Sequence, residues 1–306
     1  MLRALFIGLS ESRSIRAFAE RSSLGQKMSR RFVAGTTVNE LLDATVAMNK
    51  LGIRVTVDNL GENVTNREEA LHSRDLYHEL FSEIDKRKLD ANVSLKLTHM
   101  GLDVDEKLSR DIVSELLEHA IQLNSFIRVD MEGSPYTQRT LDFVRELHRR
   151  PGATGRIGTV LQAYLYRTEQ DAKELCAEGI RIRLCKGAYR EPATIAFKEK
   201  SDVDANYVKV AKQIIKSGTF HGIATHDERI IEEIKTWCKS ENIPASAFEF
   251  QMLNGIRRDL QESLVRDGWG VRVYIPFGTE WYPYLMRRLA ERPANAIFIA
   301  KNLFRG

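Results

Sequence analysis

Charged and polar residues recur at every second position in a set of short apolar runs. That spacing puts them on one face of an extended strand. Ser94 and Lys96 oppose Val93, Leu95 and Leu97; Arg128 and Asp130 oppose Ile127 and Val129; Arg183 opposes Ile182 and Leu184. Arg54, Thr56 and Asp58 stand against Ile53, Val55 and Val57. Glu249 and Gln251 oppose Phe248 and Phe250, and Arg272 and Tyr274 oppose Val271 and Val273. Parallel strands buried on both faces normally read as unbroken aliphatic runs, so one face here is reserved for chemistry. If the strands close into a barrel, Arg54, Asp58, Lys96, Arg128, Asp130, Arg183, Glu249 and Arg272 share one lumen. Buried charges need partners, so Asp130 should pair with Lys96 or Arg183. Cations outnumber anions in this set, which favours an anionic ligand over a self-satisfied network.

Other constellations carry less. The histidines His72, His78, His99, His119, His148, His221 and His226 show no tight metal-ligand spacing. Ser134, in Gly133-Ser-Pro, reads as a turn residue, and Cys185 lacks the surroundings of a catalytic thiol. Lys186 could form a Schiff base or bind phosphate; Gly187 and Ala188 beside it let a backbone approach phosphate closely, which favours the second. Tyr284, Arg287 and Arg288 stand at helical spacing on one side of a helix. The arginine pair is either a solvated face or a carboxylate clamp.

The elements that must position these residues alternate along the chain. Strands are expected at 53–58, 92–97, 126–130, 159–163, 181–185, 220–224, 247–251 and 270–275, separated by amphipathic helices. Thr37-Val-Asn-Glu40 is a capping box, and Thr65-Asn-Arg-Glu68 starts the next helix in the same way. Gly152, Gly155 and Gly158 precede a strand instead of following one, so they read as a loop and not a phosphate turn. Eight βα units predict a (β/α)8 barrel over 36–306, preceded by a helical arm at 1–35, with the site at the carboxyl ends of the strands. The competing doubly wound sheet would show a glycine-rich phosphate turn, which is missing.

The 306 residues are 43% hydrophobic and 29% charged, ample for a large core. Net charge is only +4, which gives no argument for nucleic acid. Residues 1–31 nevertheless carry seven cations against two anions. That segment is either a solvated basic face or a contact with an anionic membrane surface or partner. Three scattered cysteines make no disulfide framework, so a reducing, cytoplasmic compartment is expected. The first nine residues are too short for a signal-peptide core, and no run is long enough to span a membrane.

Taken together, several motifs resemble a known family. Arg183-Leu-Cys-Lys-Gly-Ala-Tyr189 looks like the fifth-strand motif of proline dehydrogenases. Tyr274-Ile-Pro-Phe-Gly followed by Tyr284-Leu-Met-Arg287-Arg288 resembles the eighth strand and helix of that family. Ser94-Leu-Lys96-Leu, Val129-Asp130-Met131-Glu132, Leu161-Gln162-Ala163-Tyr164-Leu165 and Ala224-Thr225-His226-Asp227 fit in the same order. The length resembles the monofunctional bacterial type, with no room for the aldehyde dehydrogenase module of the bifunctional form. The resemblance implies a distorted barrel that binds FAD, oxidises L-proline to 1-pyrroline-5-carboxylate, and passes electrons to a membrane quinone. It implies that Lys96, Arg287 and Arg288 hold the proline carboxylate, that Asp130 orients them, and that Tyr274, Tyr284 and Leu184 pack on the ring. It places Arg183 near the flavin N5, and Met131, Gln162, Lys186, Gly187, Ala188, Thr225 and His226 along FAD. A quinone acceptor also fits peripheral contact with the inner face of the cell membrane. Other readings are methylenetetrahydrofolate reductase (also a flavin barrel), a Schiff-base aldolase using Lys186 or Lys96, or a scaffold protein working through its basic arm.

Overall fold

The computed structural model describes residues 29–291 together with Ser22 and Gly25; side chains beyond Met286 and most of the expected arm lie outside the described residues. Eight strands form a closed barrel in sequence order. They are β1 (Arg54–Asn59), β2 (Ala91–Leu95), β3 (Ile127–Val129), β4 (Ile157–Gln162), β5 (Arg181–Cys185), β6 (His221–Ala224), β7 (Phe248–Leu253) and β8 (Val271–Phe277). All neighbours are parallel, and β8 closes on β1 with Thr56 opposite Tyr274. The helices are α1 (Val38–Asn49), α2 (Arg67–Lys86), α3 (Glu106–Gln122), α4 (Ser134–His148), α5 (Thr168–Ala177), α6 (Lys200–Ile215), α7 (Glu228–Ser240), α8 (Arg258–Arg266) and α9 (Trp281–Glu291).

The alternation works as the sequence implies. Val55, Val57, Val93, Leu95, Ile127, Val129, Ile182 and Leu184 join the apolar faces of the helices in one buried cluster. The opposite strand faces bury Thr56, Asp58, Ser94, Arg128, Arg183, Glu249, Gln251 and Arg272. Thr37 and Glu40 form the capping box of α1. The second cap is shifted by one residue. Asn66 accepts the Glu69 amide at 3.0 Å, and the Glu69 carboxylate accepts the Thr65 amide at 2.8 Å. A 3-10 turn at Ala245–Ala247 is an addition that helical periodicity does not show.

Two departures from simple alternation shape the mouth. Helix α1, which precedes the first strand, packs across both β1 and β8. Helix α9 buries Trp281, Tyr282, Tyr284, Leu285 and Met286 in a separate cluster with Phe32, Val33, Leu60 and Ile256. Leu60 follows the end of β1 and Ile256 follows the end of β7, so α9 lies at the carboxyl-end mouth. This is the distortion of the barrel.

Two glycine-motif expectations need correction. Gly158 lies inside β4, not in a loop. Arg128 Nη1 donates to the Thr159 and Arg181 carbonyls at 2.8 and 2.7 Å, and only glycine leaves room for that guanidinium. Ser134 is the first residue of α4 and not a turn residue, because Pro135 fits a first helical turn.

A Cβ on residue 158 would fall 2.2 Å from the Arg181 carbonyl oxygen and 2.9 Å from Arg128 Nη1. Gly158→Ala is therefore expected to destabilise the fold by about 2 kcal/mol or more, the usual range for overpacking. A urea midpoint equal to wild type would show that β4 and β5 can separate freely.

Candidate active site

Arg183 occupies the centre of the lumen, 6% exposed. Its Nη1 donates to Asp130 Oδ1 at 2.8 Å and Ser94 Oγ at 3.3 Å; its Nε donates to Gln251 Oε1 at 2.6 Å; its Nη2 reaches Thr56 Oγ1 at 3.5 Å. The guanidinium also lies over the Tyr274 ring, 5.2 Å from its centroid. Asp130 in turn accepts from Ser94 Oγ at 2.7 Å and Tyr274 OH at 3.0 Å. The open alternative in the sequence is thus resolved: Asp130 pairs with Arg183, and Lys96 pairs with Asp58 at 3.4 Å. Strand β2 ends at Leu95, so Lys96 stands one residue past it, where the chain turns back through His99 and Met100.

Asp58, His99 and Glu132 are buried at this end of the lumen, and the titrating groups respond. Burial pushes the Asp58 carboxyl up to about 6, helped by Asp130 and opposed by Lys96. Burial alone would lower the Lys96 ammonium, but Asp58 and Asp130 outweigh it and hold Lys96 charged. Burial raises Glu132 to about 7, although it accepts the Thr98 amide and hydroxyl at 3.3 and 3.1 Å. Burial, reinforced by Lys96 and His72, lowers His99 to about 4, so the ring is neutral. Burial and the neighbouring Asp130 and Asp58 raise the Tyr274 phenol, which stays protonated as a donor.

The opposite end of the lumen is a closed ion-pair floor. Glu249 accepts from Arg272 Nε at 2.6 Å and Arg54 Nη1 at 3.3 Å. Arg272 Nη1 donates to the Val55 carbonyl at 2.7 Å. Arg54, at the rim, also meets Asp90 at 3.4 Å.

The remaining expected site residues divide. Met131, Gln162, Lys186, Gly187, Ala188, Thr225 and His226 follow one another at the ends of β3, β4, β5 and β6. Gln162 donates to the Glu132 carbonyl at 3.1 Å and accepts the Ala188 amide at 3.3 Å. Thr225 binds the Gln251 carbonyl through its amide, and His226 Nε2 accepts the Leu253 amide at 2.9 Å. Lys186 Nζ contacts Asp204 at 2.5 Å and Asp227 at 3.1 Å, an ion-pair setting that its sequence position does not announce. Leu184 is fully buried in the main apolar cluster, on the strand face away from Arg183, and Tyr284 sits in the α9 cluster. The Arg287 and Arg288 side chains lie outside the described residues. Sequence spacing gives no hint of Thr56–Asn92, Thr98–Glu132 or Ser134–Glu191 as pairs. No group of three metal-ligating side chains occurs among the described residues.

A closed (β/α)8 barrel with its ligand-type side chains gathered at the carboxyl ends of the strands is the enzyme form of this architecture. The family model for proline dehydrogenase matches residues 41–301, and the chain belongs to that family. It is 38% identical over 306 residues, the whole of both chains, to Proline dehydrogenase 1 of Bacillus subtilis subsp. natto. It is 39% identical over 282 residues, 91% of each chain, to Proline dehydrogenase of Deinococcus radiodurans. Among solved structures it resembles proline utilization A (PutA) from Bdellovibrio bacteriovorus inactivated by N-propargylglycine, with a TM-score of 0.81 and 26% identity over 87% of this chain. The match covers 32% of that protein, so this chain spans about a third of its length. The PutA structure from Corynebacterium freiburgense shares the fold, with a TM-score of 0.77 over 97% of this chain and 34% of its own.

Glu132 yields a test of burial at the mouth. Its folded value lies near 7 against an ordinary 4.5, so the fold favours the protonated acid. Its contribution is fully present below pH 4.5 and is lost as pH rises through 7, by up to about 3 kcal/mol. Glu132→Gln mimics the protonated form. The variant should therefore gain stability relative to wild type between pH 5 and pH 8. A stability difference that is the same at both pH values in urea titrations would show that Glu132 ionises freely.

Proposed function

We propose that this chain oxidises L-proline to 1-pyrroline-5-carboxylate, the first step of proline catabolism, with FAD as cofactor and a membrane quinone as electron acceptor. The observation that carries the reading is the pair of cations at the carboxyl-end mouth of a barrel of this family: Arg183 is buried, and the half-buried Lys96 is held to Asp58 only by a long 3.4 Å contact. A small amino acid's carboxylate is a ligand that such cations take.

The residues present fit the flavin. An arc of amide, hydroxyl and imidazole groups on four consecutive strand ends borders a buried guanidinium, and Gly187 adds no side chain to it. In this reading Met131, Gln162, Lys186, Gly187, Ala188, Thr225 and His226 hold the cofactor, with Arg183 beside its reactive edge. FAD, when bound, supplies the hydride acceptor. Lys96, Arg287 and Arg288 bind the proline carboxylate; the arginine pair follows Met286 along α9, whose first turns pack at the mouth. Asp130 holds Arg183 in one orientation through the 2.8 Å pair and keeps Tyr274 turned by its phenol. Tyr274 and Tyr284 supply apolar contact to the ring, while Leu184, on the core face of β5, backs the strand that carries Arg183. Fixing the carboxylate at one end orients the rest of a rigid five-membered ring, and orientation of this kind lowers the barrier by holding the reacting atoms in place. A cation at the reactive edge favours negative charge that develops there. The substrate amine must be neutral to react, so the rate should rise with pH through its ionisation.

Membrane contact is a separate part of the reading. Among the described residues no helix is long and apolar enough to cross a membrane. The basic segment at 1–31 supports surface attachment near a lipid-soluble acceptor.

Purified protein should be yellow, and anaerobic L-proline should bleach it. Lys96→Met should leave the colour and raise the proline KM by at least about thirtyfold, since removing one partner of a buried charge contact is worth ~2–5 kcal/mol. Colourless protein that takes up no FAD would sink the reading, and an unchanged KM would remove Lys96 from it.

A further inference from the structure

The loop between β5 and α6 carries Gly187 and Ala188 over the mouth, and it is held by a residue that the motifs do not single out. Glu191 is 9% exposed. Its carboxylate accepts the Ser134 amide at 2.8 Å and the Ser134 hydroxyl at 2.5 Å, across 57 positions of sequence. Ser134 is the first residue of α4, and the preceding Gly133 has no side chain with which to cap that helix. Glu191 therefore does the capping from another loop, and its negative charge suits a helix N-terminus.

The consequence is a closed ring of bonds across three strand ends. The carbonyl of Glu132, two residues before Ser134, accepts from Gln162; Gln162 accepts from the Ala188 amide; and three residues past Ala188 the Glu191 carboxylate returns to Ser134. The far half of the same loop is fastened independently. Tyr166 binds the Ile195 carbonyl at 3.0 Å, Phe197 binds the Tyr164 carbonyl at 2.8 Å, and Lys198 Nζ binds the Glu191 carbonyl at 2.5 Å. Gly187 has φ +127, and a Cβ there would meet the Tyr164 ring at 2.3 Å, so the backbone at this point has a single tight path.

We propose that Glu191 is a positioning residue: by capping α4 from the β5–α6 loop, it fixes the backbone of Gly187 and Ala188 where they wall the cofactor side of the mouth. The cofactor half of this inference rests on the FAD reading above; the capping half does not.

Hydrogen exchange and FAD release from the purified holoprotein test the two halves separately. In Glu191→Ala, exchange at the Ala188 amide should quicken about tenfold, the loss expected when a helix cap is removed. FAD release, followed by flavin fluorescence, should quicken by a similar factor. Glu191→Gln keeps an acceptor for the Ser134 amide and an amide that can donate to its hydroxyl, so it should restore both to within about threefold of wild type. Should Glu191→Ala fail to fold, Ser134→Ala carries the test, with a severalfold loosening expected from the loss of one donor. Unchanged exchange at Ala188 overturns the latch. A loosened loop with unchanged FAD release overturns the positioning role and leaves the proposed activity intact. Wild-type protein that binds no FAD overturns the functional reading itself, whatever the exchange data show.

Discussion

The buried pair between Asp130 and Arg183 is the contact on which the lumen depends. A guanidinium this far from water is tolerable only if its donors are satisfied, and a carboxylate beside it only if it accepts from more than one side. Arg183 reaches groups on β1, β2 and β7 and, just past β3, Asp130, which adds Tyr274 from β8. One ion pair thus ties most of the barrel's circumference together. Removing either partner would strand the other, a loss of about 3–5 kcal/mol for buried pairs, so few alternative side chains fit either position. The same contact fixes the cation's direction as well as its presence.

The two ends of the lumen use charge differently. At the floor, Glu249 is shared between Arg272 and Arg54, and the Val55 carbonyl takes a further donor. Burial opposes the ionised form of Glu249, but Arg272 outweighs it and holds the carboxyl below its ordinary value. Charge there is consumed by short contacts. At the mouth, Lys96 meets Asp58 only at 3.4–3.5 Å, and burial has pushed Asp58 towards the neutral acid. A cation with a weakened partner can exchange it for an incoming anion. A cation like Arg272, with two short bonds, cannot.

Much of this was legible in the chain, and the physical reason is the pleat. A side-chain period of two sorts each strand into a core face and a lumen face without any tertiary information. Spacing alone therefore puts Arg183, Asp130, Lys96 and Tyr274 on one shared face. What spacing could not supply is the pairing. Whether Asp130 meets Lys96 or Arg183 depends on barrel stagger, and on where β2 ends. Asp58 had no assigned partner for the same reason. Glu191 was invisible because its partner lies 57 residues away in a different loop and belongs to no strand pattern. Sequence alone cannot choose between Thr65 and Asn66 as the cap, because both are good caps and only the geometry of the turn selects Asn66. Gly158 resembled a loop glycine because nothing local reports that Arg128 needs its space.

The place of α9 follows from a competition for one groove. The outer groove between the last and first strands can hold one helix. Helix α1 takes it, with Leu41, Leu42 and Met48 buried in the main core. Helix α9 must then bury its aromatic residues elsewhere, and the only partners it finds among the described residues are Phe32, Val33, Leu60, Ile256 and the partly buried Leu253. Leu60, Ile256 and Leu253 all lie at the carboxyl ends of β1 and β7, which pulls the helix over the mouth. A segment that would otherwise be structural packing becomes a roof for the site. Phe32 and Val33, just before α1, are thus among the side chains that set where that helix rests.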